Sequence, residues 1–236
     1  MTAKPLTPLS ALPNFDPRQV PVVGVDSHMA AVLAERLTAQ ALRARFASPP
    51  DWSPEVLAEK RFSDRKIAHA SVLIPIVQGK QPTVLLTERT HHLSTHSGQI
   101  AFPGGKVDED DEDAAATALR EAQEEVGLAP QYVEVLGHLP VYTTGSAFII
   151  TPVVALVHPG FTLVPNPHEV ADVFEVPLAY LMDPARHQRH ALEWELQRRE
   201  WFSMPYKDEQ APDQPERFIW GATAGMLRNF YRFLIA

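Results

Sequence analysis

Three glutamates stand close together near the middle of the chain, in "LREAQEEVGL" at Leu119 to Leu128. If this stretch is helical, each residue turns about 100°, so Glu121 and Glu125 lie about 40° apart and one turn along the axis. Glu124 lies about 60° from Glu121 on its other side by the same arithmetic. Ala115, Leu119, Ala122 and Val126 form an apolar stripe on another side, so the helix would bury one face and offer carboxylates on the other. Carboxylate oxygens suit hard divalent cations, and Mg²⁺ takes a few of them together with substrate phosphates. A lone acidic helix face is usually solvated, and acids are favoured near a helix N-terminus. Here the helix follows "PGG" at Pro103 to Gly105, where the backbone can approach closely, and an acidic run from Asp108 to Asp113. Arg120 is placed to pair with an upstream acid, Asp111 or Glu112, and so fix the loop against the helix.

The rest of the chain must hold this cluster in place. Ala114 to Val126 reads as a helix, and Gly127 sits where a helix stop belongs. Before it, Ile67 to Val77 and Thr83 to Arg89 read as strands joined by "QGKQP", and "GQIAFPGG" as a short strand and a turn. After it, "YVEVLGHLPVY" and "FIITPVVALV" read as strands, "LAYLMD" as a short helix, "ALEWELQRREWFSMPY" as a hairpin and Gly221 to Ala236 as a closing helix. In the first sixty or so residues we expect an extended proline-rich arm over 1–25. A helix from Asp26 to Phe46 should follow, capped by Asp26 or Ser27 and burying Met29, Val32, Leu33, Leu37 and Leu42, and then a short helix from Pro54 to Arg61. Strands and helices are mixed without a regular βαβ repeat, which points to an α+β chain or three-layer sandwich.

The 236 residues are 45% hydrophobic and 21% charged, which supports a sizeable core. The net charge of -8 and the lack of a basic block argue against nucleic-acid binding, and an anionic substrate would need local cations or a metal. There is no cysteine, so disulfides, thiolate catalysis and cysteine–zinc sites are excluded. No leader pattern and no apolar run long enough to span a membrane is visible, and we expect a cytoplasmic protein without a membrane partner.

The central stretch resembles the Nudix box, G-x5-E-x7-R-E-U-x-E-E-x-G-U with U apolar. Arg120, Glu121, Ala122, Glu124, Glu125, Gly127 and Leu128 match its end. At its front, counting forward from Gly105 puts Asp111 at the acid with one residue too many before Arg120. Counting back from Arg120 puts Glu112 there with Lys106 in place of the glycine. A one-residue extension with Asp is expected of the coenzyme A pyrophosphatase-like branch. "LLTERTHHLSTHSGQIAFPGG", Leu85 to Gly105, is similar to that branch's further signature, L-L-T-x-R-[SA]-x3-R-x3-G-x3-F-P-G-G, with Thr90 and Ser94 as departures. Ser94 replaces an arginine and so bears on substrate choice.

The resemblance implies a Nudix fold, a mixed sheet between helices forming an α/β/α sandwich, with residues 63–236 as the hydrolase domain and 1–62 as an N-terminal extension that could pack on it or form a homodimer contact. It implies hydrolysis of the pyrophosphate of a CoA-like nucleotide with Mg²⁺ or Mn²⁺. Glu121, Glu124, Glu125 and the Gly105 carbonyl would be the ligands, and Arg120 would orient the box. Arg89, Gly104 and Lys106 are the candidate substrate contacts. Glu169 is the favoured general base over Asp172 and Glu175 in "NPHEVADVFEVPL". NADH or ADP-ribose is an alternative substrate, and a non-catalytic nucleotide sensor is a reading of another class. Trp201, Tyr206 and Trp220 are read as packing residues before base-stacking ones, and His91, His92 and His96 as loop residues, not a zinc site.

Overall fold

The structure is a computed structural model that describes residues 7, 12, 15–59, 66–90, 98–194 and 197–236. In chain order the regular elements are β1 (Val22–Val25), α1 (Ala39–Ala47), β2 (Ala68–Val77), β3 (Thr83–Arg89), β4 (Ile100–Ala101), β5 (Gly104–Lys106), α2 (Ala114–Val126), β6 (Val133–His138), β7 (Tyr142–Thr143), β8 (Phe148–Val157), β9 (Val170–Pro177), α3 (Leu178–Leu181), β10 (Gln188–Trp194), β11 (Gln197–Tyr206), β12 (Arg217–Trp220) and α4 (Gly221–Ile235). None of the described helices is long and apolar enough to cross a membrane.

Two sheets form. The larger runs β9-β3-β2-β8-β6, with β4, β5 and β7 paired at its margins. β2 and β8 lie parallel, from Ala68 opposite Phe148 to Val77 opposite Val157, and the other pairs are antiparallel. Its central strands are largely buried on both faces, which explains why β2 and β8 read as almost unbroken apolar runs. Leu73, Val153, Ala155 and Val157 face α2, where Ala118, Ala122 and Val126 meet them. Ile74, Ile76, Val84, Leu86, Val154 and Leu156 face the other way, onto Leu42 of α1 and Leu227, Phe230, Tyr231 and Leu234 of α4. A mixed sheet between helices is the expected α/β/α arrangement. The smaller sheet, β1-β10-β11-β12, is antiparallel and carries the expected hairpin, β10 to β11.

The N-terminal third departs from expectation. Residues 26–46 are not one helix: Ala34–Leu37 is a short 3₁₀ turn, and α1 begins only at Ala39, capped by the Thr38 hydroxyl, which accepts from the Ala41 N–H at 3.3 Å. Asp26 is no cap, because its carboxylate is drawn inward by Arg189 and Arg228 at 2.8 Å each. Val32, Leu37 and Leu42 are buried as expected, but Leu33 is exposed. Residues 54–59 form no helix either. The Asn229 side chain holds them extended, with Oδ1 accepting from the N–H groups of Glu55 and Val56 and Nδ2 donating to the Val56 carbonyl. Within the arm, Val22–Val25 adds an edge strand to β10. Trp201 and Trp220 pack around Phe15, and Tyr206 packs edge-on against Tyr180.

The inward pull on Asp26 belongs to a buried ionic cluster. Arg228 is 1% exposed and pairs with Asp26 and with Glu55 at 2.7 Å. It also donates to Nδ1 of His187 at 3.1 Å, while His187 Nε2 donates to the Leu181 carbonyl at 2.8 Å. Those contacts fix a neutral imidazole. Burial, reinforced by the Arg228 charge and opposed by the Leu181 carbonyl, pushes His187 down from 6.5 to about 4. An unfolded chain takes up this proton below about pH 6.5 and the native protein only near 4, so the unfolded state binds more protons between those values. Stability is therefore full above pH 6.5, declines on acidification, and has lost about 3 kcal/mol by pH 4 from this group. Denaturant midpoints measured between pH 7 and 4 should fall in the native sequence and fall less in His187→Asn.

Candidate active site

α2 carries the acidic cluster. Asp113 caps its N-terminus by accepting from the Ala116 N–H at 2.8 Å, and Gly127, at φ 72°, ends it in the left-handed conformation. The apolar stripe fixes its rotation against β2 and β8, which turns Glu121 and Glu125 toward the β5 turn and leaves Glu124 exposed.

Arg120 ties the preceding loop to the helix. Its Nε and Nη2 bond bidentately to Asp111 at 3.0 and 2.9 Å, which decides between the two expected acids. Nη2 also donates to the Lys106 carbonyl at 3.0 Å, and Nη1 to Glu121 at 2.9 Å and Glu124 at 3.2 Å. The guanidinium holds the Asp111 carboxyl well below the usual carboxylate range.

Glu125 is 4% exposed and accepts the Gly104 N–H at 3.0 Å. Arg89 Nη1 stands 3.6 Å from its other oxygen. Burial pushes its carboxyl up to about 7 against the pull of Gly104 and Arg89, and the charges of Glu169 and Glu121 add to the rise. Burial likewise raises Glu121, with Glu124 and Glu169 contributing. Glu121, Glu125 and Glu169 thus feel one another electrostatically.

Glu169 is brought there by the loop 164–170, stitched to the end of α2. Val164 N–H donates to the Val126 carbonyl at 2.9 Å and Asn166 N–H to the Glu125 carbonyl at 2.8 Å. The Asn166 carbonyl accepts from Glu169 N–H at 3.0 Å and Val170 N–H at 2.9 Å, and its side chain accepts from His168 N–H at 3.1 Å. Thr90 binds the same loop from β3, donating through its N–H to the Glu169 carbonyl at 3.0 Å and through its hydroxyl to the His168 carbonyl at 3.2 Å. Asn166 escaped the sequence reading, though Asn-Pro is a turn signal. Asp172 and Glu175, the alternative bases, are engaged elsewhere, by Arg217 and the Thr83 hydroxyl.

The glycines are there for space. A Cβ on Gly104 would strike the Ser71 carbonyl and Val72, and one on Gly105 would strike the Glu121 carboxylate. Gly105→Ala should therefore keep the fold and displace Glu121, lowering turnover by about 10²-fold, the cost of a misplacement near 1 Å. Steady-state rates beside a thermal melt check this. Lys106 is exposed, its ammonium 6.0 Å from the Phe148 ring. Ser94, His91, His92 and His96 lie outside the described residues.

As the side chains stand, no three acidic or histidine groups among the described residues are close enough to hold one metal ion. The donor set nevertheless suits a hard divalent cation: carboxylate oxygens on one helix, one of them deeply buried and held partly against its own charge, beside a glycine turn against which Glu121 is seated. A cation would share those oxygens with Arg89 and Arg120.

A family model described as the NUDIX domain matches residues 67–206. Over 163 residues the chain is 43% identical to the uncharacterized Nudix hydrolase NudL of Escherichia coli (strain K12), covering 68% of this chain and 79% of that protein. It is 40% identical over 179 residues to the uncharacterized NudL of Photorhabdus laumondii, covering 72% of this chain and 86% of that one. Among solved structures, that of a C. elegans Ap4A hydrolase binary complex matches 50% of this chain and 86% of its own with a TM-score of 0.41 and 18% identity.

Proposed function

The chain belongs to the Nudix hydrolase family, and from that premise we propose that this hydrolase of nucleoside diphosphate derivatives cleaves the pyrophosphate of coenzyme A or one of its derivatives, to 3',5'-ADP and a 4'-phosphopantetheine species. One observation carries the reading: Arg89, from the branch signature "LLTER", stands 3.6 Å from Glu125, the buried glutamate of the box. A cation at the phosphate-binding end of the signature thus meets the carboxylate cluster.

In this reading the acids Glu121, Glu124 and Glu125, with the Gly105 carbonyl, would hold Mg²⁺ or Mn²⁺, which would supply charge neutralisation at the phosphates and a more acidic water. Glu169 takes the proton of the attacking water. Its loop is fixed to the C-terminus of α2, which supports a role beside Glu121 and Glu125, whose charges it feels. Arg89 binds the pyrophosphate, with Gly104 allowing close approach and Lys106 at the open side. Arg120 orients the acidic loop through Asp111 and touches no substrate.

Ser94, in place of the signature's arginine, favours a second reading with NADH or ADP-ribose as substrate. Intact box glutamates favour an enzyme over a nucleotide sensor. Incubating the protein with Mg²⁺ or Mn²⁺ and CoA, acetyl-CoA, NADH and ADP-ribose in competition decides among these. The proposal expects the CoA compounds to be consumed first. Faster loss of NADH or ADP-ribose would move the substrate to the second reading, and no loss of any of them would favour the sensor.

A further inference from the structure

β9 bonds to β3 along one side, and no described strand pairs with its other side. The Val173 N–H is not part of the ladder to β3. It is bonded to the Asp172 carboxylate at 2.9 Å, which marks the side its main chain faces. With a period of two residues, the main chain of Glu175 faces the same way. Edges of this kind are templates for extended partners with amide groups.

A cavity of about 440 Å³ runs along this edge and is lined by four consecutive residues, Asp172 to Glu175. That is within the range of small-molecule sites. Leu85 and Leu163 contribute apolar surface, and Tyr206 and Gln214 come from the opposite side. Three carboxylates line it, Asp172, Glu175 and Asp208, against one cation, Arg217. Arg217 is already paired with Asp172 and with Glu88 at 2.7 Å, and its guanidinium lies 4.5 Å from the centre of the Phe174 ring. The cavity therefore repels phosphate and favours an uncharged group with amide donors and acceptors.

β9 starts one residue after Glu169, so at about 3.3 Å per residue the lined segment lies roughly 10 to 20 Å along the strand from it. A substrate with its pyrophosphate at the carboxylate cluster has two arms that could lie along that strand. In a CoA-type substrate one arm is a nucleoside with an additional phosphate, and the other is pantetheine, uncharged and extended, with two secondary amides.

We propose that the cavity along the free edge of β9 binds the uncharged, amide-bearing pantetheine arm of the substrate, its amides pairing with the outward carbonyl of Val173 and the outward main chain of Glu175. This rests on the CoA reading above and adds which end is recognised, and by what.

The test uses Gln214→Trp, a change on an exposed loop that fills the cavity without touching the carboxylate cluster. Pantetheine should bind the native protein in calorimetry, with millimolar affinity expected of a fragment, and should compete with CoA. In Gln214→Trp, pantetheine binding should vanish, KM for CoA should rise about 10-fold with kcat kept, and KM for ADP-ribose, which lacks the arm, should stay unchanged. Equal effects on CoA and ADP-ribose, or no effect on either, would overturn the proposal. So would loss of adenosine competition in place of pantetheine competition, which would give the cavity to the nucleoside end. If the native protein binds pantetheine but never cleaves CoA, the substrate reading fails and the cavity assignment stands.

Discussion

Glu125→Gln should abolish most hydrolysis while leaving the protein at least as stable as before. Glu125 is the most enclosed of the three box glutamates, and its charge is held against burial and against Glu121 and Glu169. A neutral amide of the same shape keeps an oxygen for the Gly104 N–H and removes the charge that a cation would balance. Transition-state stabilisation by a metal amounts to several kcal/mol, so the expected fall in kcat/KM is about 10³-fold or more. The thermal midpoint without added metal should be unchanged or raised, because a buried charge has gone. Midpoints that rise while activity disappears would separate a chemical role from a structural one. Activity within a few-fold of the native level would remove Glu125 from the machinery.

Arg228→Met should have the largest effect on stability. The guanidinium is buried, and its loss leaves the buried Asp26 and the partly exposed Glu55 with fewer partners. Breaking a buried pair from one side costs 3–5 kcal/mol in general. Arg189 still reaches both acids, at 2.8 Å each, which places the expected loss near the lower end, about 3 kcal/mol. For a chain of this size that lowers the melting midpoint by roughly 6–12 °C. Hydrolysis per folded molecule at 20 °C should be retained, since Arg228 bonds to none of the candidate site residues. A calorimetric scan paired with a rate at low temperature reads both.

The contrast between these residues also explains what the sequence disclosed. Glu121, Glu124 and Glu125 were legible because a helix of strong periodicity with its own cap and stop, Asp113 and Gly127, carries them, and local chemistry set every boundary. β3 was legible for a similar reason, as an apolar run ended by turn residues. Asp26 was misread because its local signal, an acid before an apolar stretch, is that of a helix cap. The competing signal came from Arg189 and Arg228, more than 160 positions away, and one buried and one half-exposed guanidinium together outweigh a cap worth about 1 kcal/mol. Residues 54–59 were misread in the same way, since Asn229 takes their main-chain groups. Glu169 was proposed from its loop, but the bonds that hold that loop, from Asn166 to α2 and from Thr90 after β3, are made mostly by main-chain groups, and the Asn-Pro turn signal alone does not say where the loop docks.

The central claim is that the α2 carboxylates and Arg89 serve cation-assisted hydrolysis of a CoA-type pyrophosphate. The most direct measurement is phosphorus NMR of coenzyme A incubated with the purified protein, first with Mg²⁺ and then with excess chelator. We predict that with Mg²⁺ the two pyrophosphate resonances give way to two new monoester resonances, the 5'-phosphate of 3',5'-ADP and the phosphate of 4'-phosphopantetheine, beside the 3'-phosphate already present, and that chelator stops the change. Pyrophosphate resonances that persist with Mg²⁺ and with Mn²⁺, or a change confined to the 3'-phosphate, would contradict it.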